Sequence, residues 1–352
     1  MSTSDTPDPF TALTDPAQAF IAELPKAELH VHQVGSASPA IVAQLAEQHP
    51  GTVPTDLALL ADYFRFRDFA HFVEVYLSVV DLMTTGEDVR MLTYAVATEM
   101  TDQNIRYAEV TATPYLSVQR GIAAEEFIEA IEDARIAAEE DYGIVLRWIF
   151  DIPGDFGLPA AEETLRIALD HGPSTLVGFG LGGSEIGIPR SQFKPYFDAA
   201  RAAGLHSVPH AGETTGPETI WAALRDLQAE RIGHGTSAAQ DPELLAYLAR
   251  HEIPVEVCPT SNLATGAVDD LLSHPLIAMV EAGVRVSINS DDPPMFSTTL
   301  NREYGIAARL LGLDDVGVGN LAKSAVRASF AEHSVQERLL AEIDTYIADS
   351  TS

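Results

Sequence analysis

The sequence predicts an α/β protein, a closed (β/α)8 TIM barrel, from three observations. Eight short β-branched runs alternate with helix-period segments along the 352 residues, the rhythm of a parallel sheet with helical crossovers. Four of these runs end in His30-Val31-His32, His210-Ala211-Gly212-Glu213, His234 and Asp291-Asp292. A closed barrel gathers such strand ends around one mouth, whereas a doubly wound open sheet would divide them about a switch point.

In chain order, residues 1–22 read as a polar lead-in ending in a short helix around Pro16–Leu24, and residues 23–345 as a single barrel domain. The expected strands are Ala27–Val34, Ile105–Ala112, Val145–Ile152, Leu176–Gly182, His206–Gly212, Arg231–Gly235, Pro254–Pro259 and Arg285–Asp292. Helical patterns lie between them, among them Ala124–Tyr142, Ala160–Leu169, Gln192–Ala203 and Pro242–Arg250. The longest interruption, about residues 40–104, follows the first strand and carries Phe64, Phe66, Phe69, Phe72 and Tyr76. Several of them share one helical face by spacing, which suits an extra helix pair packed on the core and also an apolar lid over the mouth.

Composition narrows the function. Basic residues number 21 against 52 acidic, a net charge of −31. Binding nucleic acid or an anionic membrane needs clustered Lys and Arg, so the expected partner is a small molecule and the acidity a solubilising surface. No apolar stretch approaches the roughly 20 residues that cross a bilayer. The polar start lacks a signal-peptide core, and the single Cys258 fits a reducing compartment. A cytoplasmic location is expected.

The strand ends carry the chemistry. His30 and His32 are two apart on a strand and face the same side, and His210 offers a third imidazole. Three imidazoles and a carboxylate are donors that a catalytic zinc accepts. Glu213 follows the flexible Gly212, within reach of a substrate, and His234 is flanked by Gly233 and Gly235. Asp291 and Asp292 would cap a helix before Pro293; where the strand end turns, one can meet metal and its neighbour the substrate. Each signal is weak singly, and jointly they indicate a metallohydrolase. The lone Cys258 reads as a core residue and leaves no Cys pair for a His/Cys zinc deaminase site.

These residues resemble the adenosine deaminase family of amidohydrolase barrels. The resemblance lies in Leu24-Pro25-Lys26-Ala27-Glu28-Leu29-His30-Val31-His32, His210-Ala211-Gly212-Glu213, Arg231-Ile232-Gly233-His234-Gly235 and Asn289-Ser290-Asp291-Asp292-Pro293, and spans residues 24 to about 330. It implies one Zn2+ per chain, held by His30, His32, His210 and Asp291, with an acidified water as nucleophile. Binuclear relatives use a lysine at the fourth strand end, and Gly180-Leu181-Gly182-Gly183-Ser184-Glu185 has none. The resemblance further implies attack at C6 of a 6-aminopurine. Glu213 would protonate N1, His234 orient and help deprotonate the water, Asp292 bond N7, and the Gly183 N–H meet N3.

Two departures bear on the substrate. The family has Leu-Asp after the HxH pair, the acid binding the ribose 5′-hydroxyl, or a Glu in its adenine deaminases; this chain has Gln33-Val34. Gly180-Leu181-Gly182-Gly183-Ser184-Glu185 stands where Asp-Leu-Ala-Gly-Asp-Glu is usual, removing a carboxylate behind the site. The chain thereby resembles the actinobacterial branch acting on 6-aminodeoxyfutalosine, a menaquinone precursor with an aryl acid at the 5′ end. Val34, Gln33, Phe64 and Phe69 are then expected to line the 5′-pocket, with Arg65 or Arg67 meeting the carboxylate. Adenosine deaminase proper remains the alternative; amide or phosphoester hydrolysis and a non-catalytic nucleoside-binding protein are more distant ones.

Overall fold

The computed structural model describes residues 15–67 and 69–350. Its eight parallel strands run β1 (Lys26–His32), β2 (Ile105–Ala112), β3 (Val145–Pro153), β4 (Leu176–Gly182), β5 (His206–Ala211), β6 (Ile232–His234), β7 (Val255–Val257) and β8 (Val286–Ile288), each beside its sequence neighbour. All eight expected strands are present: β2 and β4 have the expected bounds, β3 runs one residue further, and β7 and β8 are markedly shorter than their runs. Nearly every strand residue is buried, as a sheet covered by helices on one side and its own interior on the other requires.

Closure comes from residues just past β8. A parallel bridge joins Val31 to Asp291; the His32 N–H donates to the Asp291 carbonyl at 2.9 Å and the Asp291 N–H to the His30 carbonyl at 3.1 Å. The buried Asn289 side chain reinforces the seam, its Oδ1 accepting from the main-chain N–H of Leu29 at 2.9 Å and of His30 at 3.2 Å.

The helices at Ala124–Tyr142 and Pro242–Arg250 have the bounds that periodicity predicts. Helix α1 (Asp15–Glu23) ends the lead-in, with Phe20 buried and its ring 5.0 Å from that of Tyr346; residues 1–14 of the lead-in lie outside the described residues. The interruption after β1 holds four helices where a pair is expected: α2 (Pro39–Gln48), α3 (Leu57–Tyr63), α4 (Phe69–Val80) and α5 (Gly86–Thr101). Turn chemistry separates them. Ser38 caps α2 and Asp56 caps α3, while Thr85 and Asp88 form a reciprocal capping box on α5, supplying acceptors to N–H groups that a helix start leaves bare. Phe69, Phe72 and Tyr76 do share a face of α4, whereas Phe64 and Phe66 precede it.

Candidate active site

The carboxyl ends of the strands form one cavity, lined by His32, His210, Glu213, His234, Asp291 and Asp292 among others. His30, His32, His210 and Asp291 each offer a ligand atom, and these atoms all lie within 4.8 Å of one another. Asp291 Oδ1 is 3.4 Å from His30 Nε2 and 3.2 Å from His32 Nε2, and His32 Nε2 is 3.3 Å from His210 Nε2. Local geometry delivers these groups. Asp291 has φ 66, a left-handed turn that Asp tolerates and that lets Asp291 and Asp292 both face inward. Gly233 clears the first ligand, because a Cβ there would sit 2.8 Å from His30 Cε1.

The donors fit a metal ion. His30 Nε2 is buried without a hydrogen bond, and its other nitrogen, Nδ1, lies 2.7 Å from Glu256 Oε2. A carboxylate there fixes the proton on Nδ1 and aims the Nε2 lone pair at the cluster. Ser261 Oγ donates to Asp291 Oδ2 at 2.6 Å, leaving Oδ1 toward the imidazoles. Three imidazole nitrogens and one carboxylate oxygen are donors that a divalent ion of the zinc type accepts.

Behind Glu256 stands a buried charge network that sequence reasoning missed. Arg231 Nε donates to Glu256 Oε1 at 2.6 Å, Arg231 also pairs with Glu109, and Tyr107 donates to Glu109 at 2.8 Å. Burial alone would raise the Glu256 carboxyl, but Arg231 and His30 hold it below its ordinary value. A charged residue inside the β-branched Val255-Glu256-Val257 run is the signal that could have revealed it, since alternation turns it away from its neighbours' side.

Glu213 is a different kind of acid. Burial and then the Asp291 charge push its carboxyl up to about 8, and Thr265 Oγ1 donates to its Oε1 at 2.8 Å. Its turn is held from two sides: Glu185 accepts the main-chain N–H groups of Glu213 at 3.3 Å and Thr215 at 3.1 Å, and Arg190 Nε donates to the His210 carbonyl at 3.1 Å. Asp292 is likewise pushed up to about 8 by burial and by Asp291, with Oδ1 buried and lacking a partner. His234 is held down to about 3 by burial. Burial thus favours the neutral form of both carboxyls and of the His234 imidazole.

Gly183 lines the cavity with φ 78, and a Cβ there would lie 2.2 Å from Asp155 Oδ2. The carboxylate missing from β4 has a counterpart on β3. Asp151 lines the cavity, accepts from Thr113 Oγ1 at 2.5 Å, and occupies space beside Gly182, whose Cβ would come 2.8 Å from Asp151 Oδ2.

The apolar wall differs from expectation. Phe69 lines the cavity with Phe72, Val73, Tyr76 and Leu77 of α4, together with Leu116, Phe156 and Phe296; Gln33, Val34 and Phe64 are not among its lining residues. His32 faces the mouth, so Gln33 points outward, its amide donating to Thr93 of α5 at 2.6 Å. Val34 is buried in the apolar core by the turn that follows, where the Ser36 N–H bonds the His32 carbonyl and the Ala37 N–H that of Val34. Phe64 is buried just past α3. Arg65 is 80% exposed and pairs with Asp62, and among the described residues neither it, Arg67 nor any other Arg or Lys lines the cavity.

Comparison with known proteins agrees with this geometry. Residues 25–346 match the profile of the adenosine deaminase family. An aminodeoxyfutalosine deaminase of Streptomyces avermitilis is 66% identical over 94% of this chain and 93% of its own length. An adenine deaminase of Agrobacterium fabrum is 36% identical over 92% and 98%. The crystal structure of adenine deaminase from Arthrobacter aurescens superposes with a TM-score of 0.87 at 31% identity, covering 92% of this chain and 99% of that one. By its profile, relatives and strand-end residues, the chain belongs to the adenosine deaminase family of metal-dependent hydrolases acting on C–N bonds.

Proposed function

We propose that this protein hydrolyses the 6-amino group of an adenine nucleoside whose 5′-substituent carries an aryl group, with 6-aminodeoxyfutalosine as substrate and one zinc ion per chain. The observation that carries this reading is the conjunction of Glu213, whose carboxyl burial pushes up to about 8, with a cavity wall that is apolar along α4. A wall of that kind favours an aryl group and makes a 5′-phosphate held against it costly to desolvate. The similarity to the Streptomyces avermitilis aminodeoxyfutalosine deaminase supports the same substrate.

When bound to His30, His32, His210 and Asp291, zinc supplies a water acidified toward neutrality. Glu213 donates its proton to N1 and draws electron density from C6. The Gly183 N–H meets N3, at a position where a side chain would strike Asp155. Asp292, protonated near neutrality, donates to N7, and His234 orients the attacking oxygen. Phe69, Phe72 and Tyr76 cover the sugar end and exclude water, which strengthens each of these polar contacts. Of the two protons of the attacking water, one replaces the proton Glu213 gave to N1 and the other goes to the departing amine, so the products are ammonia and a 6-oxopurine nucleoside.

Steady-state kinetics on 6-aminodeoxyfutalosine, adenosine and AMP test this. The 5′-aryl nucleoside should give the highest kcat/KM and AMP the lowest. Adenosine outperforming 6-aminodeoxyfutalosine would make the protein an adenosine deaminase proper, and binding without turnover of any of the three would make it a nucleoside-binding protein.

A further inference from the structure

Two side chains and one main-chain N–H, hydrogen-bonded in series behind His234, decide which of its nitrogens carries the proton. We propose that this relay holds His234 as the neutral imidazole protonated on Nε2, so that it serves deamination as a hydrogen-bond donor and not as the base. The assignment rests on the functional reading above for what His234 faces.

The relay starts at a group with only one possible polarity. The main-chain N–H of Leu276 donates to His274 Nδ1 at 3.0 Å. His274 is buried, and burial holds it down to about 4, so it is neutral near pH 7. With Nδ1 accepting, its one N–H lies on Nε2, which meets Asn262 Oδ1 at 3.3 Å. That orients the Asn262 amide nitrogen toward His234 Nδ1, at 3.0 Å. An amide nitrogen only donates; His234 Nδ1 therefore accepts, and the His234 proton sits on Nε2.

That N–H points into the site, with Glu213 Oε2 at 3.7 Å and Asp291 Oδ2 at 3.9 Å. A base at this position needs a free lone pair on Nε2. The one lone pair of this tautomer is on Nδ1, already engaged by Asn262. Taking up a second proton on Nδ1 would set two N–H groups against each other across 3.0 Å. His234, Asn262 and His274 are all buried, so breaking the relay leaves polar groups unsatisfied. His234 is thus placed to direct a lone pair of the attacking oxygen toward its own Nε2–H, with Asn262 and His274 as positioning residues.

Nitrogen-15 NMR of histidine-labelled protein, with the His234 signals assigned by their loss in His234→Asn, tests the assignment in metal-free and zinc-loaded samples alike. The expected wild-type pattern is a protonated Nε2 and an unprotonated Nδ1; the reverse pattern overturns the relay. Asn262→Asp replaces the donor with an acceptor and should move the proton to Nδ1, lowering kcat by about 10²-fold, the scale of one lost oxyanion donor, at unchanged metal content. A switched tautomer with unchanged kcat overturns the donor role. His274→Gln retains an amide donor toward Asn262 and should keep the wild-type tautomer and rate, while His274→Leu should lose both; this pair also decides the question if Asn262→Asp does not fold. A protein that deaminates no adenine nucleoside would remove the functional reading, and the spectra would still decide the tautomer.

Discussion

The main-chain N–H of His32 donates to the carbonyl of Asp291 at 2.9 Å, so two residues of the candidate metal site are bonded to each other across the seam that closes the barrel. Barrel closure and ligand geometry are one structural event. Strand β8 ends at Ile288, and the pairing is completed by Asn289 and Asp291. Loosening this seam should cost stability and metal together.

Asn289→Ala tests that coupling. Its Oδ1 is the acceptor for two main-chain N–H groups of β1, and leaving buried donors unpaired costs about 1–3 kcal/mol each. Urea unfolding should show a loss of about 2–6 kcal/mol on that basis, and the purified variant should hold less zinc than wild type by elemental analysis. Normal metal content alongside the stability loss would separate the two.

Glu213→Gln should lower kcat by about 10²–10⁴-fold, the range for losing a general acid, while metal content stays at the wild-type level. The pH dependence follows from the sign of the shift. A carboxyl raised to about 8 is protonated, and able to donate to N1, below that pH; kcat/KM should therefore hold through neutrality and fall above about pH 8. The Thr265 hydroxyl bonds the Glu213 carboxyl and lowers its value, so Thr265→Val should move the alkaline limb to higher pH. A limb that stays in place would disconnect Thr265 from the acid.

Gly35→Ala should act through Asp292. A Cβ at residue 35 would lie 1.5 Å from Asp292 Oδ1, so the carboxyl must move. A displacement on the order of 1 Å costs about 10²-fold in rate, and the drop should appear in kcat/KM with the zinc retained.

Glu256→Ala removes the partner of both His30 and Arg231. Unpairing a buried charge costs about 3–5 kcal/mol, and loss of a carboxylate behind a ligating histidine about 10–100-fold in metal affinity. Thermal unfolding and zinc competition with a chelator should report these losses. Glu256→Gln, which keeps a hydrogen-bond acceptor near His30 Nδ1, should recover part of the metal affinity and less of the stability.

The strands and the helices at Ala124–Tyr142 and Pro242–Arg250 were legible because periodicity is a property of neighbouring residues. His30, His32, His210 and Asp291 were legible as donors because each closes a strand run. The 5′-pocket was not: Val34 and Gln33 adjoin the ligands in sequence, yet the turn after β1 buries Val34 in the core and hands Gln33 to Thr93. Asp151 and Thr265 sit in unremarkable segments and became visible only where the barrel set them beside the site, whereas Glu256 stands out as a charge inside a β-branched run but its partners His30 and Arg231 do not.

The sequence by itself determined the order of the strands, the donor atoms at their ends and the family, since each depends on residue type and short-range spacing. Tertiary structure decided how those groups behave. Arg231 meets Glu109 across 122 positions of chain and His32 bonds Asp291 across the closing seam, while His274 reaches His234 through Asn262. Protonation states, ligand tautomers and the identity of the cavity wall depend on burial and on partners remote in sequence, and only the closed barrel brings those partners within hydrogen-bonding distance.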